Sequence, residues 1–179
     1  MKALHTLGER EQAVVAERRA SGYRVEQLRF AELEPVLRAL VERLLPGLPE
    51  TIDVAAFVDS HADHSLGRGD RKAGVPATPE LLRQGLAVLD ALGFVDLEDT
   101  ARDDLIGRLR RGEADGELGF EAKEFVDRLL VLACAGYLAH PDTWERIGFN
   151  GPAYPEGYAW ISRGASARRH ERFAGAGRL

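Results

Sequence analysis

Apolar side chains recur along this chain at intervals of three and four residues, the spacing that lines one face of an α-helix. Leu33, Val36, Leu37, Leu40, Val41 and Leu44 form the firmest such stripe. Pro35 is tolerated only in a first turn, so this helix is predicted to begin near Ala31 or Glu32, and Pro46-Gly47 ends it. Thr51 reads as an N-cap, with Asp53 in the first turn of a helix reaching His61 or Ser65. Thr78-Pro79-Glu80 reads as another start, with Leu82, Gly85, Leu86 and Leu89 inward and Gly93 as the stop. A shorter helix follows over 98–111, turning Ala101, Leu105, Ile106 and Leu109 inward, and Gly112 and Gly116 bracket a turn. The longest helix is predicted over 118–140, apolar at Ala122, Phe125, Val126, Leu129, Leu130, Ala133 and Tyr137. Being apolar on several sides, it is the expected centre of the bundle.

The ends of the chain are less regular. Thr6 and Glu9 have capping-box spacing before a short helix ending near Ala20, with Gly22 as a stop and Ala13, Val14 and Ala16 as its apolar face. Residues 23–30 read as extended or irregular, and 67–75 as a polar, glycine-rich mobile loop. No strand-period run of useful length occurs, and no internal repeat. The expectation is an all-α fold, a single irregular bundle of about five to six helices with a proline- and aromatic-rich C-terminal arm. An N-terminal extension (1–29), a helical domain (30–161) and an arginine-rich flexible tail (162–179) divide the chain.

The arm is the most telling stretch. Residues 136–158 hold Tyr137, Trp144, Phe149, Tyr154 and Tyr158, with Trp160 just beyond, among Pro141, Pro152 and Pro155. That is six of the chain's 13 aromatic residues. Rings of this size left in water forfeit on the order of 25 cal/mol per Å² of apolar area, so they must pack on something. Folding back over the bundle would account for Tyr137 and Trp144 but leaves Tyr154, Tyr158 and Trp160 to a second protein. Large rings on a proline-stiffened segment suit an interface, because little freedom is lost on docking.

Signals for chemistry are sparse. Asp59, His61, Asp63 and His64 form one cluster, and His61 and His64 share a helical face; with His140 and Asp142 they could compose a zinc or iron site. Against this, no EXXH or HEXXH pattern is present, and the cluster also reads as the polar end of a helix. Gly67 to Gly74 has the glycines of a phosphate loop without its strand or its closing Lys-Ser/Thr. No GxSxG occurs, and no GxGxxG follows a strand, so the usual flavin or nicotinamide binder is excluded. The reading is therefore no catalytic, cofactor-binding or metal-binding residue in this chain. The alternatives are a metal-dependent enzyme built on His61, His64 and an aspartate, or a stand-alone helical interaction domain.

Composition narrows the setting. The 179 residues are enough for one helical domain with a core, and a net charge of −5 argues against a dedicated nucleic-acid binder. The single cysteine, Cys134, lies in an apolar run and excludes an intrachain disulfide framework. No apolar run is long enough for a signal peptide or direct membrane insertion. Arg18-Arg19 is followed by Ala-Ser-Gly-Tyr-Arg instead of an apolar stretch, so it does not read as a twin-arginine signal. The expected compartment is the cytoplasm, the periplasm being reached only in company with an exported partner.

The segment GYLAHPDTWERIGFNGPAYPEGY, preceded by the apolar helix before it, resembles the C-terminal signature of the gluconate 2-dehydrogenase subunit 3 family. Gly-Tyr, His-Pro, Trp-Glu-Arg-Ile-Gly and Tyr-Pro-x-Gly-Tyr come in order at compact spacing. Upstream, the stripe helix ending in Leu44-Leu45-Pro46-Gly47, then a helix over 53–61, a loop and further helices, is also similar. The resemblance implies a small, non-catalytic subunit that supports a large FAD-containing dehydrogenase of the glucose–methanol–choline (GMC) type. The partner would oxidise a sugar, sugar acid or polyol, with a cytochrome c subunit carrying electrons onward in some complexes. Under this reading FAD belongs to the partner, and the expected partner interface is Tyr137, Trp144, Ile147, Phe149, Tyr154, Tyr158 and Trp160.

Overall fold

The structure, a computed structural model, describes residues 8–21, 28–63, 73–113, 115–118, 120–144 and 146–149. The described residues are all helix and turn, without a strand, as the periodicity predicts. In chain order the helices are α1 (Glu9–Ser21), α2 (Glu34–Leu44), α3 (Val54–His61), α4 (Thr78–Ala91), α5 (Asp99–Arg111), α6 (Asp115–Leu118), α7 (Ala122–Ala139) and α8 (Pro141–Trp144). Short 3₁₀ turns at Ala31–Leu33 and Phe94–Asp96 lead into α2 and follow α4. The Thr6 cap, residues 67–72 of the glycine-rich loop, His64 and the arginine-rich tail lie outside the described residues, and the end of that loop is a turn that buries Val75.

Several helix ends differ from the sequence expectation, each for a local reason. Asp53, not Thr51, caps α3: its carboxylate accepts from the Ala56 N–H at 2.9 Å. The same carboxylate takes both arms of the Arg38 guanidinium, at 3.1 and 2.9 Å, and so ties α2 to α3. Thr78 lies inside α4, and the cap position falls on Ala77 with no side-chain bond. Pro79 still belongs to the first turn, where a missing N–H costs nothing. The predicted helix over 118–140 is two elements. Asp115 reaches out of α6 to accept from the backbone of Ala122 (3.0 Å) and Lys123 (3.3 Å), which sets the start of α7. Gly116 is accordingly inside α6 and does not close a turn. Gly112 does, with φ of +70°. Its N–H donates to Leu109 and the Glu113 N–H to Arg108, the paired bonds of a Schellman motif.

Helix α7 is the centre of the bundle, packing against α2, α3, α4, α5 and α8. Leu37 and Leu40 of α2, Val58 of α3, Leu82, Leu86 and Leu89 of α4, Leu109 of α5 and Phe125 and Leu129 of α7 are buried in one cluster. Two glycines let helices approach closely. A Cβ on Gly85 would run into the Phe125 ring, and one on Gly136 would sit 2.7 Å from the Phe57 ring. α1 stands apart from this cluster and lies against α8, with Val15 as its buried side chain.

Candidate partner-binding surface

The end of α7 and the turns after it form the region singled out by the sequence. Gly136 permits α7 to press on Phe57 of α3, and the chain leaves the helix at His140 in an extended conformation (φ −79°, ψ 134°). Pro141 then opens α8. The helix end is closed by Thr143, whose buried hydroxyl lies 2.8 Å from the carbonyls of both Tyr137 and His140. The same two carbonyls also accept from backbone, Tyr137 from the His140 N–H at 3.3 Å and His140 from the Thr143 N–H at 3.1 Å.

Behind this closure sits a polar network. The His140 ring is buried, and its Nδ1 accepts from the Asp142 N–H at 3.3 Å, which places the proton of the neutral ring on Nε2. Burial pushes its pKa below the usual histidine value, Asp142 works against that shift, and Arg19 adds to it. The Asp142 carboxylate accepts from Arg19 Nε at 2.7 Å and from Thr51 Oγ1 at 3.0 Å. Burial raises its pKa, but the bonds from Thr51 and Arg19 outweigh that and hold it below the ordinary carboxylate value. The network thus joins α1, the start of the α3 segment and α8.

Aromatic packing completes the region. Trp144 is only 2% exposed, and Phe149 meets it edge to face, with centroids 5.1 Å apart and planes at 86°. The Phe149 N–H donates to the Trp144 carbonyl at 2.8 Å, across a turn in which Gly148 has φ of +70°. Trp144 therefore packs within its own chain and presents no face to a partner in this conformation. That departs from the interface expectation for this residue, because α1 and α7 both pack on α8. Tyr137 is half-buried against the core. Ile147 and Phe149 are exposed, at 48% and 38%. Tyr154, Tyr158 and Trp160 lie outside the described residues.

Residues 31–151, from the turn before α2 through the end of this region, match the family described as gluconate 2-dehydrogenase subunit 3. The chain belongs to that family. No curated protein and no solved structure matches it. The subunit 3 match takes in α2 to α8, while α1 and the positions of Tyr154, Tyr158 and Trp160 fall outside it.

The residues proposed for a metal site in this subunit 3 chain have other occupations. Asp59 is buried, and its two oxygens accept from the backbone N–H groups of Arg29 (2.7 Å) and Phe30 (2.8 Å). It is a clasp that fixes the chain entering α2. The His61 ring stacks on Phe57 at 3.8 Å, with Nδ1 2.8 Å from the Ser60 hydroxyl. Asp63 pairs with Arg29, and His140 belongs to the network beneath α8. Among the described residues no group of three or more His, Cys, Asp or Glu side chains is placed to hold a metal ion. No helix among them is long and apolar enough to cross a membrane.

Sequence reasoning missed two residues of this surface. Val131 and Leu138 on α7 are 50% and 46% exposed, although the helix reads as buried on several sides. The available signal is spacing: both lie off the inward stripe of Phe125, Leu129 and Ala133, seven positions apart on one face.

Proposed function

We propose that this chain is a non-catalytic small subunit that binds and stabilises a large FAD-dependent oxidoreductase of the GMC type. The partner acts on a sugar, sugar acid or polyol, and FAD belongs to it. The observation that carries this reading is the match to the subunit 3 family across the whole of α2 to α8. Two features support it. Apolar side chains stand exposed after α8, at Ile147 and Phe149, which suits a surface awaiting cover. The described side chains that most invited a chemical role, Asp59, His61 and His140, are each engaged in holding local structure.

The partner interface in this reading is Ile147, Phe149 and the segment carrying Tyr154, Tyr158 and Trp160, with Tyr137 at its margin. A cytochrome c subunit is a further partner where the complex passes electrons onward. The complex works in the cytoplasm unless the partner carries it across the membrane.

Co-expression with a GMC-type flavoprotein encoded beside this chain tests the proposal. The expected result is one co-purifying species with flavin absorbance, while this chain purified alone is colourless and turns over no substrate. Recovery of the two proteins as independent species, each stable without the other, would refute it.

A further inference from the structure

A cleft opens where α2 turns toward α3. Pro46 stops the helix, Gly47 reverses the chain with φ of +77°, and residues 45–55 face the last turns of α2 across an open space. That space is about 440 Å³, enough to hold a large side chain or a small molecule. Its apolar lining includes the buried Val41 and Ile52 and the half-buried Leu45 and Leu48.

The charged lining is unbalanced. Arg38 stands against Glu42, Glu50 and Asp53, a net charge of −2. The Arg38 guanidinium is already committed to Asp53 and Glu34. Glu42 and Glu50 are exposed, and neither carboxylate has a hydrogen-bond or ion-pair partner among the described residues. Apolar walls beside two uncommitted anions suit an occupant with an apolar group next to cationic ones.

The sequence contains a segment of that chemistry. Over 162–179 five arginines stand against Glu171, a net charge of +4 with histidine neutral, although the chain as a whole carries −5. Arg168, Arg169, Arg172 and Phe173 fall within six positions. The tether is long enough and starts nearby. Thr51, between the cleft residues Glu50 and Ile52, donates to Asp142 of α8 at 3.0 Å, and Phe149 stays against Trp144 of that helix. Arg168 comes 19 positions after Phe149, a reach of up to about 60 Å for extended chain.

We infer that the cleft between α2 and residues 45–55 is a docking site for this chain's own 168–173 segment. Phe173 enters against Val41, Leu45 and Ile52, and the arginines meet Glu42 and Glu50. Exposed ion pairs are individually weak and screened by salt, so a free basic peptide would bind poorly. Attachment to the same chain supplies an effective concentration in the millimolar range, which favours this occupant over the same segment from a second copy. The inference stands independently of the proposed function.

The test uses the full chain with Phe173 replaced by the photo-crosslinker p-benzoylphenylalanine. Irradiation of the monomer is expected to link position 173 to residues 38–55. Amide exchange over 45–52 gives a second reading. Arg168→Glu, Arg169→Glu and Arg172→Glu together are expected to speed it several-fold at low salt, as added salt does in the wild type. Glu42→Lys with Glu50→Lys, both at exposed positions, is expected to do the same. Combining the two sets is expected to restore protection, which mere destabilisation by either set would not do. Cross-links elsewhere in the monomer, or exchange unchanged in the charge-reversed chains, overturn the inference. Cross-links between two chains would assign the cleft to a second copy's segment and overturn it as well. Protection of 45–52 that appears only when the flavoprotein is bound would assign the cleft to the large subunit, overturning the inference and leaving the proposed function standing.

Discussion

Arg19 donates to the Asp142 carboxylate at 2.7 Å, joining α1 to α8 across 123 positions of sequence. The pair stands partly in water, with the two side chains 43% and 30% exposed. An ion pair in that setting contributes about 0–1 kcal/mol. Val15 is buried on the same helix, which packs against α8. Arg19→Ala is expected to cost less than about 1 kcal/mol of global stability, yet to speed amide hydrogen exchange throughout α1. Asp142→Ala is expected to cost somewhat more, since it removes the acceptor of both Arg19 and Thr51 at once. Equal, unaccelerated exchange in α1 for both variants would show that the pair does not hold the helix.

The His140–Asp142 network makes stability depend on pH. Burial lowers the folded pKa of His140 below its ordinary 6.5, so the unfolded chain binds its proton more readily. The contribution of the neutral, buried ring is complete above pH 6.5 and is lost as pH falls through the lower folded value. Asp142 follows the same direction further down: its folded pKa lies below 3.8, and its contribution disappears as pH drops through that depressed value. Melting temperature is therefore expected to decline on mild acidification from pH 6.5, and His140→Gln is expected to flatten that decline. A thermal-melt series over pH checks this, and identical slopes in the two proteins would rule His140 out as the cause.

Asp59 offers a separation of structure from chemistry. Its carboxylate satisfies two backbone donors at the entry to α2, one of them buried. Asp59→Ala leaves both donors unmet and is expected to cost about 2–3 kcal/mol in urea unfolding. Asp59→Asn, which keeps one acceptor and turns an amide donor toward the other N–H, is expected to fall between. If Asp59→Ala retains full stability but loses a bound metal, the clasp reading is wrong and the metal reading returns.

Gly136 and Phe57 set how closely α7 and α3 approach. Alanine in a helix interior normally gains about 1 kcal/mol over glycine. Here the added Cβ would lie 2.7 Å from the Phe57 ring, and overpacking costs about 1–3 kcal/mol. The clash is expected to win, so Gly136→Ala destabilises by about 1 kcal/mol or more. Combined with Phe57→Leu, which opens the space, the alanine is expected to cost much less than it does alone. Purely additive losses in that double-mutant cycle would disprove the steric account.

Legibility in the sequence followed how local the deciding force was. The α2 stripe of Val36, Leu37, Leu40 and Val41 is buried as its spacing predicts, because periodicity is a property of one helix and needs no neighbour to be read. Gly112 ends α5 where a residue of left-handed backbone was required, for the same reason. The choice between Thr51 and Asp53 as the cap of α3 was not local. Arg38, fifteen positions earlier, rewards a carboxylate at 53, while Thr51 donates to Asp142. Nor could spacing show that Asp115 sets the start of α7.

The surface follows the same division. Sequence alone determined that this is an all-α chain with a ring-rich segment after its longest helix, and that the segment has the pattern of the subunit 3 family. Only the tertiary structure decided that Trp144 is enclosed by its own chain while Val131, Leu138, Ile147 and Phe149 remain in water. Hydrophobic spacing states which residues want cover. Which of them receive it depends on the helices that arrive beside them, and α8 gains its cover from α1 and α7, elements brought together by Arg19, Asp142 and Thr143.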